Sequence, residues 1–540
     1  MNHHWNLSRR RLLLLTFGTT AASLLAACAP SAPSPSNPTA APGTPLAPAQ
    51  PAATQSTGSA QPKSGGTLRV VTNSDLSNLV PWSISPVSFD TMWTVFDPLT
   101  RYDAQLTPQP MLAESWDVTP DESQITLHLR KGVQFHTGRE LTSDDVKWNI
   151  EHIKDPAAQA TQLINMANWW SSIETPDKYT IVLKSDSPRP ALFDMLEYLN
   201  IADPVTAQGP EASTKLVGTG PFMWGEWVQG DHQRYVKNPN YWQTGRPYVD
   251  ELYVQVTRDA PAAAVQFESG AVDAMLNPPV RDLARLQSDP QYRAIINKAT
   301  GQYFIAAFNT TQPPFDNKQV RQAYNYAINR QRFVDSVLIG DAEARDLPWA
   351  PQSPAFDTSK NTKYAYDPDT AKSLLAQAGN PPIDMDISYS SSDYEPGQLA
   401  QIMQADYTNL GATVNAKSME TAALQNLFNT VGYKGVSLRF SGFAGTDPAT
   451  LFTIGAYYRV NTNASGFKSD RYQQLVNAAG SEADPAKRKQ IFSDLNDLLL
   501  DESFVAIVSS QTVSVLAHAA MNGVMHSMHE AVIWTDAWKA

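Results

Sequence analysis

Strands and helices alternating along a 540-residue chain predict an α/β protein of two or three domains, at roughly 100–200 residues per domain. The stretch from Ile383 to Asp447 supports this most strongly. Ile383, Met385, Ile387 and Tyr389 alternate as a strand. Leu399, Ile402, Met403, Tyr407 and Leu410 then share a helical face that stops at Gly411. Thr413-Val414, a second helix near Thr421 to Asn429 and a strand at Val436 to Phe440 complete the order β-α-β-α-β, which predicts a doubly wound lobe. Ligands of such sheets lie beyond the carboxyl ends of the strands. The last strand here runs into Ser441-Gly442-Phe443-Ala444-Gly445-Thr446-Asp447, where glycines admit a close approach, Phe443 offers a flat apolar face and Asp447 a charge. The same residues read equally as a strand-to-helix turn with Asp447-Pro448 as its cap.

The remaining elements follow from local signals. Thr67 to Val71 reads as an edge-of-core strand, and Ile125, Leu127 and Leu129 alternate onto one face of another. Thr142-Ser143-Asp144-Asp145 opens a helix carrying Val146, Ile150 and Ile153. Asp367-Pro368 opens a helix that Gly379 stops, and Asp484-Pro485 repeats the device before Ile491, Leu495 and Leu498. Ser503 to Met525 is uncharged, but Gln511, His518 and Asn522 interrupt it. It reads as two buried strands with a turn, not a membrane span.

The N-terminus is built differently. Met1 to Ala27 has no acid, three arginines at Arg9 to Arg11, an apolar stretch from Leu12, and small residues before Cys28. This is the layout of an export signal, too short for a span of roughly 20 residues. Leu25-Ala26-Ala27-Cys28 resembles a bacterial lipobox, and Ser8-Arg9-Arg10 a twin-arginine signal, so the export route stays open between two machineries. From Ala29 to Ser64 nine prolines accompany one large aliphatic residue and one charge; such a segment buries too little to order itself. As a coil it spans about 30–35 Å, enough for a lipid-held body to range above a membrane.

Composition narrows the chemistry. With 41 Lys+Arg against 53 Asp+Glu the net charge is -12, which repels nucleic acid. Losing Arg9 to Arg11 takes the charge to -15. Cys28 is the single cysteine, which excludes an internal disulfide and cysteine-rich metal frameworks. No phosphate loop, G-x-S-x-G elbow or His-Glu-x-x-His pair occurs. Gly218-Thr219-Gly220-Pro221 reads as a turn, His136 as a packed residue, and His526 with His529 lacks a third metal ligand. No catalytic residue, metal or cofactor is expected. The 13 Trp, 20 Tyr and 19 Phe suit a receptor that holds its ligand between rings.

Several segments resemble one family. They are Gly66 to Val70, Leu112-Ala113-Glu114-Ser115-Trp116, Leu127 to Gly138 with Asp144-Asp145-Val146, Val217 to Phe222, Asn238-Pro239-Asn240-Tyr241-Trp242, Val320-Arg321-Gln322-Ala323, Ala327-Ile328-Asn329-Arg330 and Asp367 to Gly379. Together they look like the extracytoplasmic solute-binding proteins of family 5, the oligopeptide, dipeptide and nickel receptors of ABC importers. The resemblance implies a two-lobed periplasmic-binding-protein clamshell with an extra smaller domain. Lobe I would take residues 65–100, 217–308 and 508–540, domain II 101–216 and lobe III 309–507, after a signal at 1–27 and a lipidated tether at 28–64. The hinge would lie near Asn309 and Phe504. Implied partners are a small solute, peptide by family habit, and an ABC permease in the membrane. The receptor itself would be a monomer. Ligand contacts are expected from Phe443, Thr446 and Asp447 with Ser74, Asp75 and Trp82.

One departure bears on the solute. Peptide-binding members carry an aspartate shortly before an Asp-Pro in the loop after the lobe III strand, where it meets the ligand ammonium. Here no acid precedes Asp447 in that loop. Either Asp447 takes the role, or the solute has no ammonium there and is an oligosaccharide, an opine or a nickel complex. The rival readings are a secreted hydrolase and a sensory or chaperone-like receptor on the same body.

Overall fold

The computed structural model describes residues 61–84, 86–298, 300–528 and 531–540, with backbone alone for 86–88. The expected signal, Cys28 and the tether as far as residue 60 lie outside them. The folded body takes hold at Gly65 and Gly66, whose amides donate to the Tyr248 carbonyl at 2.8 Å and to Asp250 at 3.0 Å.

The chain starts with β1 (Thr67–Thr72) and the helix Pro86–Val95. A small hairpin, β2 (Thr100–Tyr102) and β3 (Pro108–Pro110), leads into an antiparallel sheet. Its strands are β4 (Ala113–Val118), β5 (Gln124–Leu129), β6 (Ser172–Asp177) and β7 (Thr180–Lys184), ordered β4-β5-β7-β6. The helix Ser143–His152 packs on it, opened by a reciprocal capping box between Thr142 and Asp145. The chain then returns through β8 (Phe222–Val228), β9 (His232–Lys237), β10 (Glu251–Val256), β11 (Ala274–Leu276) and β12 (Tyr292–Asn297).

The second lobe follows as β13 (Tyr303–Phe308), β14 (Asp384–Ser390), β15 (Thr413–Met419), β16 (Gly435–Ser441) and β17 (Val505–Ser510), after which β18 (Val513–His518) rejoins the first sheet. The sheet orders are β12-β18-β11-β1-β10-β9-β8 and β15-β14-β16-β13-β17. Strand β14 pairs in parallel with both β15 and β16, with helices Tyr394–Thr408 and Thr421–Thr430 between them. The doubly wound lobe expected from Ile383 to Asp447 is therefore present.

Burial explains the layering. Leu68, Val70, Leu127, Ile150 and Leu183 belong to one core that runs from the first sheet into the four-stranded domain, so those two parts share an interior. The second lobe has separate cores on its two faces. Tyr303, Ile305 and Ala307 of β13 enter one, Phe304, Ala306 and Phe308 the other, the pattern of a strand covered on both sides.

Three expectations need correction. Thr67–Thr72 is the central strand of seven, not an edge, because it pairs in parallel with β10 and β11 on its two sides. The strands in Ser503 to Met525 are real, but β17 and β18 lie in different sheets, so the link between them is a crossing, not a hairpin turn. The residues expected at the hinge do not stand where the chain changes sheet. Asn309 follows the far end of β13, held by its side chain to the Val431 and Tyr433 carbonyls, and Phe504 is buried just before β17. Both lie inside the second lobe. The chain changes sheet between Asn297 and Tyr303 and again between Ser510 and Val513, not at the boundaries expected at 308 and 508. The two crossings are tied together: Gln511 N donates to the Gln302 carbonyl at 3.0 Å, and Thr300 Oγ1 to the Gln511 carbonyl at 2.6 Å.

Candidate functional site

Topology defines the candidate site. Tyr303 at the start of β13 stands opposite Ser441 at the end of β16 and Ser510 at the end of β17. The edge from which the chain leaves the second lobe is thus the edge where the parallel strands β14, β15 and β16 end. In the first sheet β1, β10 and β11 run in parallel. Both β11 and β12 run antiparallel to β18, so β12 exits at the carboxyl edge too. Each sheet turns its carboxyl edge toward the crossings, and that edge is where α/β sheets hold ligands.

Of the expected contacts on the first sheet, Asp75 and Trp82 are occupied within the protein. Asp75 Oδ1 accepts from Trp227 Nε1 at 2.9 Å, Gln233 Nε2 at 3.2 Å and Leu76 N at 2.8 Å, and Oδ2 accepts from Gly230 N at 2.6 Å. These bonds tie the loop after β1 to the β8–β9 hairpin. Trp82 is buried, its Nε1 donating to Asn149 Oδ1 and to the Asn200 carbonyl, both at 3.1 Å. It fastens this loop to the four-stranded domain. Ser74 is half-buried, its hydroxyl donating to Asn73 Oδ1 at 3.0 Å.

The loop after β16 is a junction. Phe443 holds a left-handed backbone, φ 73°, a conformation that costs about 1–2 kcal/mol for a residue with a side chain. Packing holds it there: its ring meets Tyr198 edge-on at 6.1 Å and touches the cores of both lobes. Ala444 N donates to the Gly301 carbonyl at 3.3 Å, and a Cβ on Gly301 would run into the Gly445 amide nitrogen. Only glycine there lets the crossing lie against the loop. Thr446 is buried and donates to Asp194 Oδ2 at 2.8 Å. Asp447 caps the helix Pro448–Ile454 through Ala449 N at 2.9 Å and receives Arg488 on both oxygens, at 2.7 and 2.9 Å.

The candidate contacts expected from the sequence in this lobe all follow β16, and further polar and aromatic residues stand at the ends of the other parallel strands. At the end of β14, Ser390 Oγ lies 2.8 Å from both Ser392 Oγ and Thr421 Oγ1, and Ser392 Oγ donates to Asp393 Oδ1 at 3.0 Å. Burial pushes the carboxyls of Asp393 and Glu395 upward; the Arg439 guanidinium opposes the rise at Asp393. Arg439, near the end of β16, donates to Gln425 Oε1 at 2.6 Å and lies over the Phe428 ring at 5.2 Å. The Tyr457 hydroxyl beside them is buried and has no hydrogen-bond partner among the described residues. Tyr394 is 61% exposed and Phe440 37%, so aromatic surface remains uncovered along this edge. The carboxyl-end rule applied to all three strands would have found these residues.

Gly218 and Gly220 form a close turn against Val95 and Phe96, with Gly220 N donating to the Val95 carbonyl at 2.9 Å. Among the described residues no group of three or more His, Cys, Asp or Glu side chains is placed to hold a metal ion, and no helix is long and apolar enough to cross a membrane. His526 Nε2 lies 3.3 Å from the Ile295 carbonyl; His529 is outside the described residues.

Residues 107–462 match the profile of the bacterial extracellular solute-binding proteins, family 5, middle region. The chain belongs to that family. Heme-binding protein A of Haemophilus influenzae is 30% identical to this solute-binding protein over 417 residues, 71% of this chain and 75% of the relative. Di/tripeptide-binding protein 2 of Pseudomonas aeruginosa is 30% identical over 399 residues, 67% of this chain and 73% of the relative. The PBP AgaA from A. tumefaciens R10, in complex with agropinic acid, superposes with a TM-score of 0.79 at 24% identity, over 88% of this chain and 99% of that one. DppA from Helicobacter pylori, in complex with the peptide STSA, superposes at 0.78 with 23% identity, over 87% and 98%. The two structures establish the shared periplasmic-binding-protein fold. Family 5 consists of binding proteins, not enzymes, which removes the hydrolase reading.

Proposed function

We propose that this protein is the solute receptor of an ABC importer. It captures a small solute of the peptide class between the two carboxyl edges and is held to the outer face of the membrane by lipid on Cys28. The observation that supports this reading best is the orientation of the sheets, each of which presents its carboxyl edge to the paired crossings. Lobe III contributes Tyr394, Phe440 and Phe443 as faces for a flat or extended solute. Asp393 and Arg439 supply opposite charges that interact without forming a direct pair with each other. A solute touching both lobes favours the closed arrangement; one touching a single lobe shifts nothing.

A second solute reading has its own support. Asp447 is taken up by Arg488 and by its helix cap, so the loop after β16 offers no spare carboxylate to an ammonium. An opine or another solute without an ammonium at that point fits this loop. Relatives named for heme, di/tripeptides and glutathione, and solved structures with agropinic acid and Ni(L-His), define the panel to test.

Thermal shift of the purified chain against di- and tripeptides, glutathione, opines, hemin and nickel-histidine is the test. A solute at 100 times its dissociation constant adds about 2.7 kcal/mol, so one class should raise the melting temperature and bind stoichiometrically without product. Turnover of any member, or the absence of binding across the panel, contradicts the reading.

A further inference from the structure

The four-stranded domain and lobe III meet at Asp194. Asp194 lies on the helix Leu192–Tyr198 and is fully buried. Its Oδ2 accepts from Thr446 Oγ1 at 2.8 Å, from Asp447 N at 3.2 Å and from Thr450 Oγ1. Its Oδ1 accepts from Tyr102 OH at 2.7 Å. Three of the four donors belong to lobe III, more than 250 residues away in sequence. Nearby, Asn165 Nδ2 donates to the Thr453 carbonyl at 3.2 Å, and Ile454 joins the core of the opposite side. The four-stranded domain shares its interior with the first sheet, while lobe III has cores of its own. The Asp194 contact therefore lies on a surface that parts when the lobes part.

We infer that Asp194 is a proton-dependent latch of the closed state, gripping the Thr446–Thr450 segment of lobe III and closing more readily as the medium becomes acidic. The inference rests on the closing motion proposed above. Its physical basis is that closure takes a carboxylate out of water and sets it against a second one. The charged groups around it are Glu197 on its own helix, whose Oε2 accepts from Tyr102 N at 3.2 Å; Asp447 opposite; Arg488, spent on Asp447; and Glu122, which feels both Arg488 and Asp447. No arginine or lysine pairs with Asp194 among the described residues, so neutralisation by a proton is the available relief. Burial, reinforced by the Asp447 charge, pushes its carboxyl up to about 7 against the pull of its hydrogen bonds. In the open arrangement water restores an ordinary carboxylate. A group whose pKa is higher in the closed state takes up a proton on closing, so closure weakens as pH rises through the closed-state value. With these two limits the closed-to-open ratio falls about tenfold between pH 6 and pH 8.

Spin labels at Ala157→Cys and Lys489→Cys, both exposed positions on either side of the contact, in the full chain carrying Cys28→Ser, report this by pulsed dipolar distance measurement across pH 5 to 9. Two distance populations are expected, the shorter gaining about tenfold from pH 8 to pH 6, with the dependence lost in Asp194→Asn. Thr450→Val, which removes one donor from the ionised form, should move the midpoint to higher pH; this reading does not rely on Asp194→Asn folding. Two populations that ignore pH in the parent, or an unchanged profile in Asp194→Asn, overturn the latch while leaving the closing motion intact. A single distance at every pH overturns both.

Discussion

Arg488 donates through one nitrogen to both oxygens of Asp447, at 2.7 and 2.9 Å, and thereby holds the carboxylate that starts the helix Pro448–Ile454. The pair is mostly buried, with side-chain exposures of 15% and 12%. Replacing Asp447 by Ala removes the cap and leaves a shielded guanidinium without its anion. A loss of about 2–4 kcal/mol is expected in urea unfolding. Solute affinity should fall only as far as the loop loosens, so Asp447→Asn, which keeps a capping oxygen, should bind nearly as the parent does.

Asn149 is fully buried and joins three segments. Its Oδ1 accepts from Trp82 Nε1 and from Ala202 N at 3.0 Å, and its Nδ2 donates to the Asp145 and Ala202 carbonyls, both at 2.9 Å. Asn149→Ala leaves buried polar groups unmet and should cost about 2–3 kcal/mol. Trp82→Phe should lower stability without changing solute affinity, measured by denaturation and by titration calorimetry on the same preparation.

Arg330 is buried and donates to the Ile507 carbonyl at 2.8 Å and to the Asn325 and Tyr364 carbonyls at 3.0 Å, with Asp346 at 3.1 Å. It fastens β17 to the helices outside the sheet. Arg330→Met strands Asp346 and several carbonyls, and a loss of about 3–5 kcal/mol follows, visible as a lower urea midpoint.

His136 accepts from Gly218 N at 3.4 Å and its other ring nitrogen lies 3.0 Å from the Gly220 carbonyl. Burial depresses its pKa to about 4. The unfolded chain protonates its histidine near the ordinary value, so the contribution to stability is whole above that value and is lost as pH falls toward 4. The slope from this residue reaches at most about 1.4 kcal/mol per pH unit. Urea unfolding of His136→Gln from pH 4 to 7 should show a flatter profile than the parent.

Two glycines should respond oppositely to alanine. At Gly301 the new Cβ meets the backbone of Ala444 and Gly445, so the crossing and the loop after β16 must separate, at a cost of about 1–3 kcal/mol and with weaker solute binding. At Gly480, inside the helix Asp470–Ser481, nothing stands within 4 Å, and Ala should add about 0.5–1 kcal/mol. Thermal unfolding of the two variants side by side checks both signs.

The features readable in the sequence are the local ones. Asp367, Asp484 and Thr142 announce helix starts because a cap needs only its neighbours. Ile383 to Phe440 announces a parallel lobe because each strand and helix there has its own periodicity. The two sheet crossings were not legible because a crossing depends on which sheet a strand joins, and β13 and β17 look like any other buried strands until paired. Asp75 and Asp194 were opaque for a related reason: their partners lie 155 and about 250 residues away, beyond any spacing rule. Arg439 and Asp393 were within reach, since both stand at ends of strands already recognised.

Small-angle scattering of the full chain, with and without whichever member of the panel raises its melting temperature most, tests most directly whether cargo draws the lobes together. The account predicts a smaller radius of gyration with solute bound, and a loss of that contraction in Gly301→Ala. Superimposable profiles at saturating solute would contradict it.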